Sequence, residues 1–340
     1  MLPPEAPASA DAPAPPSRAL RLGTLIVALL GGALLVYTIR KVGWEDVRAG
    51  LASLGWWFMA VLALGGLRFV ARTRSWMACA EDPDEPPLDF RHAFPAMLAA
   101  DALGNVTPLG LLASEPAKVL LVRRRLSTVG GVSSVAADNV FYTLSVLIVL
   151  GLGTVLFFQR TSVPVPLARA AEVVFAGAVA ALVVAAWAAR RRPAVLSRLA
   201  AWAARLTGRG SRASADRLRA IELRFYGLLS WPAGRLLRIA LWQAAFHVAA
   251  IAEVFLVVRL LPGGEGITWL DAFLLESAGR LITVVFKAVP LRLGVDEAGT
   301  ALVARALTLD PTVGVTLALV RRLRIICWNG LGLVFLSRHR

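Results

Sequence analysis

The chain has 340 residues, 57% of them hydrophobic, with a mean hydropathy of +0.67 and a formal net charge of +15. An ordinary soluble domain is excluded, since its apolar share is about 45–50% even with glycine counted. Nucleic-acid binding is excluded as well, because the basic residues concentrate beside apolar stretches, where they orient a membrane protein and meet anionic headgroups.

Residues 1–17 are rich in proline and alanine and read as a disordered cytoplasmic tail. Apolar runs long enough to cross a hydrocarbon core of about 30 Å follow at Leu20–Ile39, Leu51–Val70, Val132–Phe158, Leu167–Ala189, Leu236–Leu261 and Thr312–Leu336. Arg18 and Arg21 ahead of the first run resemble the start of a signal peptide. The run is twice too long for one, and Tyr37–Arg40 offers no small-residue cleavage site, so a retained helix is expected. Cys79 and Cys327, far apart in sequence, give neither a disulfide framework nor a CxxC metal site.

The connector Arg190–Arg238 carries twelve arginines against Asp216 and Glu222, which places it in the cytoplasm. Within it, Val195, Leu199, Trp202 and Leu206 form one seam at helical spacing, and Leu218, Ile221, Phe225 and Leu228 form another. Amphipathic helices on the inner leaflet or a solvated linker both fit that pattern. With this anchor, the second span returns to the cytoplasm at Arg72 and Arg74, and both termini are cytoplasmic. Residues 92–125 must then begin and end inside, and residues 269–310 outside. Each carries a Pro/Gly break between arms that are partly too short to cross. The expected fold is an all-α polytopic membrane protein, an inverted-topology repeat with about six spanning helices and two re-entrant hairpins. Counting the hairpins as full spans gives eight helical segments. The expected divisions are 18–189 for the first membrane half, 190–238 for the basic linker and 239–340 for the second half.

The repeat has a sequence mark. Pro108-Leu109 leads to Glu115, and Pro290-Leu291 leads to Glu297, 182 residues later. At the same offset Leu111 matches Leu293, Leu120 matches Leu302 and Arg123 matches Arg305. A charge at mid-membrane costs roughly 2.5–3.5 kcal/mol on insertion scales, so interior charges are sparse unless they work or pair. The first hairpin and its following span hold Asp101, Asn105, Glu115, Lys118, Asp138 and Asn139. The second half holds Glu276, Arg280, Lys287, Arg292, Asp296 and Glu297, then Arg321, Arg322 and Arg324 in the last span. Glu115 with Lys118 and Glu276 with Arg280 have the spacing of helix-face ion pairs. The expected substrate cavity is built from Pro108, Glu115, Lys118, Asp138, Glu276, Arg280, Pro290, Asp296, Glu297, Arg321 and Arg322. Charges that merely lock hairpins against spans are the competing reading. Catalytic residues, metal ligands and cofactors are not expected, since GxSxG, HExxH, P-loop and dinucleotide patterns are missing from the sequence.

At these residues the chain resembles the flippase-like membrane region of lysylphosphatidylglycerol synthases and their stand-alone relatives, over roughly residues 20–337. The motifs are Asn105-Val-Thr-Pro108 through Glu115 and Lys118, and Val289-Pro290 through Leu293-Gly294-Val295-Asp296-Glu297-Ala298-Gly299. The stretch from Leu275-Glu276 through Arg280 to Pro290 is similar to the hopanoid-associated branch. Two departures stand out: Asp138-Asn139 where the family has an acidic-Arg pair, and Asp296 where it often has Arg, with Arg321 and Arg322 as substitutes. The resemblance implies a bacterial inner-membrane protein that moves lipids with charged headgroups between leaflets. The synthases' aminoacyl-transferase domain is not expected here, so the chain itself is not expected to be an enzyme. Membrane lipids, anionic or aminoacylated, are the expected partners, with a homo-oligomer or a lipid-synthesising enzyme as further partners. A scaffold for such an enzyme is the alternative function.

Overall fold

The computed structural model describes residues 44–83, 85–106, 110–160, 227–286 and 294–338, together with Arg40 and isolated positions between 169 and 223. The expected spans at 20–39 and 167–189, the amphipathic seams of the linker, and Pro108, Lys287, Pro290 and Arg292 lie outside these residues or survive only as isolated positions.

The described elements are helical. Helix α1 (Trp44–Leu54) turns through Gly55, at φ 42°, into a short 3-10 segment and then α2 (Phe58–Cys79). Glycine suits that turn because a Cβ disfavours positive φ. The expected run Leu51–Val70 falls on this stretch, and the helix continues beyond it to Cys79, so Arg72 lies inside it. Next come α3 (Phe90–Val106), α4 (Gly110–Leu121) and α5 (Thr128–Arg160). The second series is α6 (Ala233–Leu260), α7 (Trp269–Val285), α8 (Val295–Ala306) and α9 (Pro311–Arg338). Helix α6 begins inside the expected linker, where Arg235 donates to the Ala78 and Cys79 carbonyls that close α2, at 2.8 and 3.2 Å.

Among the described residues, three helical stretches are long and apolar enough to cross a membrane: Ala52–Cys79, Thr128–Arg160 and Ala233–Leu260. Helix α9 matches them in length at 28 residues but carries three arginines near its middle. The pieces on either side of the proline breaks are short. Both α3 and α7 have 17 residues, and both α4 and α8 have 12. At 1.5 Å per residue these reach about 26 and 18 Å, less than a hydrocarbon core. Gly294, at φ 76°, makes the turn into α8.

The neighbour relations are regular. Helix α2 packs along α6, α3 on α9, and α7 on α5. Helix α3 also packs on α4 as α7 does on α8, and α4 on α5 as α8 does on α9. Exchanging α2–α5 for α6–α9 leaves that set of contacts unchanged. Small residues set the distances. A Cβ on Gly332 would run into the Leu98 carbonyl of α3, and one on Gly153 into Ser277 of α7.

Helix α7 starts with a capping box. Thr268 Oγ1 accepts from the Asp271 amide at 3.2 Å, Asp271 accepts from the Thr268 amide at 3.0 Å, and Arg160 pairs with Asp271 at 3.0 Å. Replacing Thr268 by Ala is expected to cost about 0.5–2 kcal/mol of stability, readable as a lowered unfolding midpoint in detergent.

Candidate functional site

Two of the apolar clusters of the interior meet different parts of α2. Val61 belongs to one, with residues of α6, α7 and α9, and Trp76 to the other, with residues of α3, α4 and α5. Between them, at spacings of three and four, Gly65, Arg68 and Arg72 share one helix face, and that face opens on a cavity of about 560 Å³. Its opposite walls come from α3 (Asp101, Asn105), α4 (Glu115, Lys118), α5 (Tyr142), α7 (Arg280) and α9 (Arg324, Trp328). Phe69, Met97, Ile325 and Trp328 supply apolar lining. Gly65 and Gly66 let Trp328 and Arg324 lie against α2, because a Cβ at either would sit 2.8–2.9 Å from those side chains.

The charges are arranged in shared pairs. Glu253 of α6 is fully buried and sits 3.0 Å from both Arg68 and Arg324, one carboxylate between two guanidiniums. Glu276 of α7 repeats the pattern, 2.8 Å from Arg280 and in contact with Arg321. Arg72 pairs with Asp138 of α5 at 2.8 Å, and Ser75 donates to the same carboxylate at 2.9 Å. Gln243 donates to Ser75, and His247 meets Ser145 at 3.0 Å, so the polar side chains behind the wall hold one another. Lys118 bonds both Glu115 oxygens at 3.1–3.2 Å. Asp101 accepts from Asn105, which also reaches Asn329. Three guanidiniums lie on two rings: Arg72 over Tyr142 at 4.1 Å, and Arg68 and Arg280 over Phe246 at 5.0 and 4.8 Å. Arg280 also donates to the Tyr142 hydroxyl at 3.0 Å.

Of the residues expected at the site, Glu115, Lys118 and Arg280 line this cavity, while Asp138, Glu276 and Arg321 stand behind its arginines. Glu297 and Arg322 are elsewhere. Glu297 is fully buried at the start of α8, 2.6 Å from Arg322 of α9, and neither is among the lining residues. Arg322 holds Glu297 between α8 and α9. Asp296, in the first turn of α8, is not a lining residue either. The two substitutes for the missing family arginine separate, Arg322 going to Glu297 and Arg321 to Glu276. Asp138 takes Arg72 of another helix as its cation.

Sequence reasoning overlooked Arg68 and Glu253 and took Arg72 for the cytoplasmic end of the second span. A signal for Arg68 was present, since it lies within the apolar run first read as a span, and interior charges there are functional candidates by default.

Helical spans around a charged internal cavity define a multi-pass membrane protein. The chain belongs to the lysylphosphatidylglycerol synthase TM region family, whose model matches residues 22–328. Comparison with curated proteins returned no match, and comparison with solved structures returned none.

Proposed function

We propose that this chain moves an amphiphile with a charged headgroup across the bacterial cytoplasmic membrane. The observation that carries the reading is a charged cavity with partly apolar walls, enclosed by the long helices and by both interrupted segments. Irregular backbone and interior charge are tolerated in a bilayer where they line such a cavity. The paired 17- and 12-residue arms and the exchangeable neighbour set support an inverted repeat, the architecture in which one site is exposed alternately to either side. The headgroup occupies the polar walls and the acyl chains follow the apolar ones. The termini and the arginine-rich connector face the cytoplasm.

Purified chain in liposomes, with fluorescent lipids and a leaflet-selective quencher, tests this. Transfer between leaflets is expected with the wild type. Glu115→Gln, which leaves Lys118 without its counter-charge at the wall, is expected to reduce it to the protein-free rate. A wild type that inserts normally and moves none of the charged lipids supplied would sink the reading and favour a scaffold.

A further inference from the structure

Among the described residues, ion pairing around the cavity leaves one lining carboxylate out. Glu115 has Lys118, Asp138 has Arg72, Glu276 has Arg280, and Glu253 serves both Arg68 and Arg324. Asp101 lines the same cavity with no cation in ion-pair contact, and its hydrogen-bond partner is the Asn105 amide at 2.9 Å. Helix α3, which carries it, packs on α2, α4 and α9. The charged groups those helices bring to the cavity are Arg68 and Arg72, Glu115 and Lys118, and Arg324, each already paired. On α3 itself Arg91 and His92 stand in the first turn and do not line the cavity.

Protonating a paired carboxylate strands a buried guanidinium or ammonium, which is costly. Protonating Asp101 strands none, and it relieves a charge that a membrane interior holds only at a cost. Of the carboxylates at this wall, Asp101 is the one built to exchange a proton.

The same group sits at a joint. Asp101 and Asn105 are one helical turn apart near the end of α3, which stops at Val106, and Asn105 also donates to Asn329 of α9 at 3.1 Å. One turn further along α9, Gly332 comes close to the α3 backbone at Leu98. A hydrogen bond to a carboxylate is roughly twice as strong as one between neutral groups. The charge on Asp101 therefore bears on how the end of α3 holds α9.

We propose that Asp101 is a proton site that couples transport to the proton gradient, taking up a proton as an anionic amphiphile loads and returning it to water on release. The inference rests on the transport reading above. An ionised Asp101 opposes an anion in the cavity and a neutral one does not, so proton and anion strengthen each other's binding by the same factor.

Purified full chain in weakly buffered neutral detergent, with a pH-indicating dye, tests the site apart from transport. Adding dihexanoyl phosphatidylglycerol to the wild type is expected to draw protons from solution, up to about one per chain. Asp101→Asn, which keeps the shape of the neutral acid without its proton, is expected to draw none, and Asp101→Glu to restore uptake. In liposomes under an imposed pH difference, fluorescent phosphatidylglycerol is expected to accumulate in the leaflet facing the alkaline compartment. That skew is expected to vanish with Asp101→Asn or a protonophore. A wild type that draws no protons, or an Asp101→Asn protein that draws as many, would overturn the proposal. Proton uptake without leaflet transfer would retain the proton site and remove the transport reading. Leaflet transfer that ignores the pH difference would do the reverse.

Discussion

Replacing Glu253 by Ala is expected to destabilise the protein by about 3–5 kcal/mol, the largest effect of any single substitution considered. The carboxylate is fully buried on α6 and lies 3.0 Å from guanidiniums on α2 and α9. Removing it leaves Arg68 and Arg324 facing each other's charge without a counter-ion, and α2, α6 and α9 lose their common polar joint. A compensated control separates this from simple loss of volume. Changing Glu253, Arg68 and Arg324 together to leucine removes the desolvation cost along with the attraction, and is expected to restore much of the stability. Urea or thermal unfolding in detergent reads both. A Glu253→Ala protein as stable as the wild type would mean that the pairing seen here contributes nothing.

The second large effect is expected at Gly314, where α9 crosses α8. A Cβ there would lie 2.7 Å from the Cα and the amide nitrogen of Ala301, backbone atoms that no rotamer change can clear. Gly314→Val must therefore push α9 from α8, which strains the Arg322–Glu297 pair that joins them. The expected loss is at or above the upper end of the roughly 1–3 kcal/mol usual for overpacking. Gly330→Val on the same helix meets open space and should be close to neutral, so unfolding midpoints of the two variants give the comparison.

Much of this molecule was legible in its sequence for a plain reason. In a bilayer, backbone polar groups must be satisfied within each segment, so apolar length and proline position dictate where helices run and break. The long helices at Val132–Phe158, Leu236–Leu261 and Thr312–Leu336 were visible within a few residues, and so were the short arms on either side of each break. Ion pairs at spacings of three and four, Glu115–Lys118 and Glu276–Arg280, were also within reach, since helix geometry alone brings those side chains together.

What the tertiary structure decided is which charges meet across helices. Arg68, Glu253 and Arg324 are up to 256 residues apart, and no local pattern distinguishes a shared triad from three separate anchors. Arg72 looked like a span-end flank because its partner, Asp138, lies on another helix. The Pro-to-Glu repeat marked two equivalent positions, yet packing placed Glu115 on the cavity wall and locked Glu297 to Arg322 away from it. Periodicity specifies the face a side chain occupies along its own helix. The neighbour that face meets depends on interhelical packing, and here that packing, set by close approaches at Gly65, Gly153, Gly314 and Gly332, determined which charges became a site.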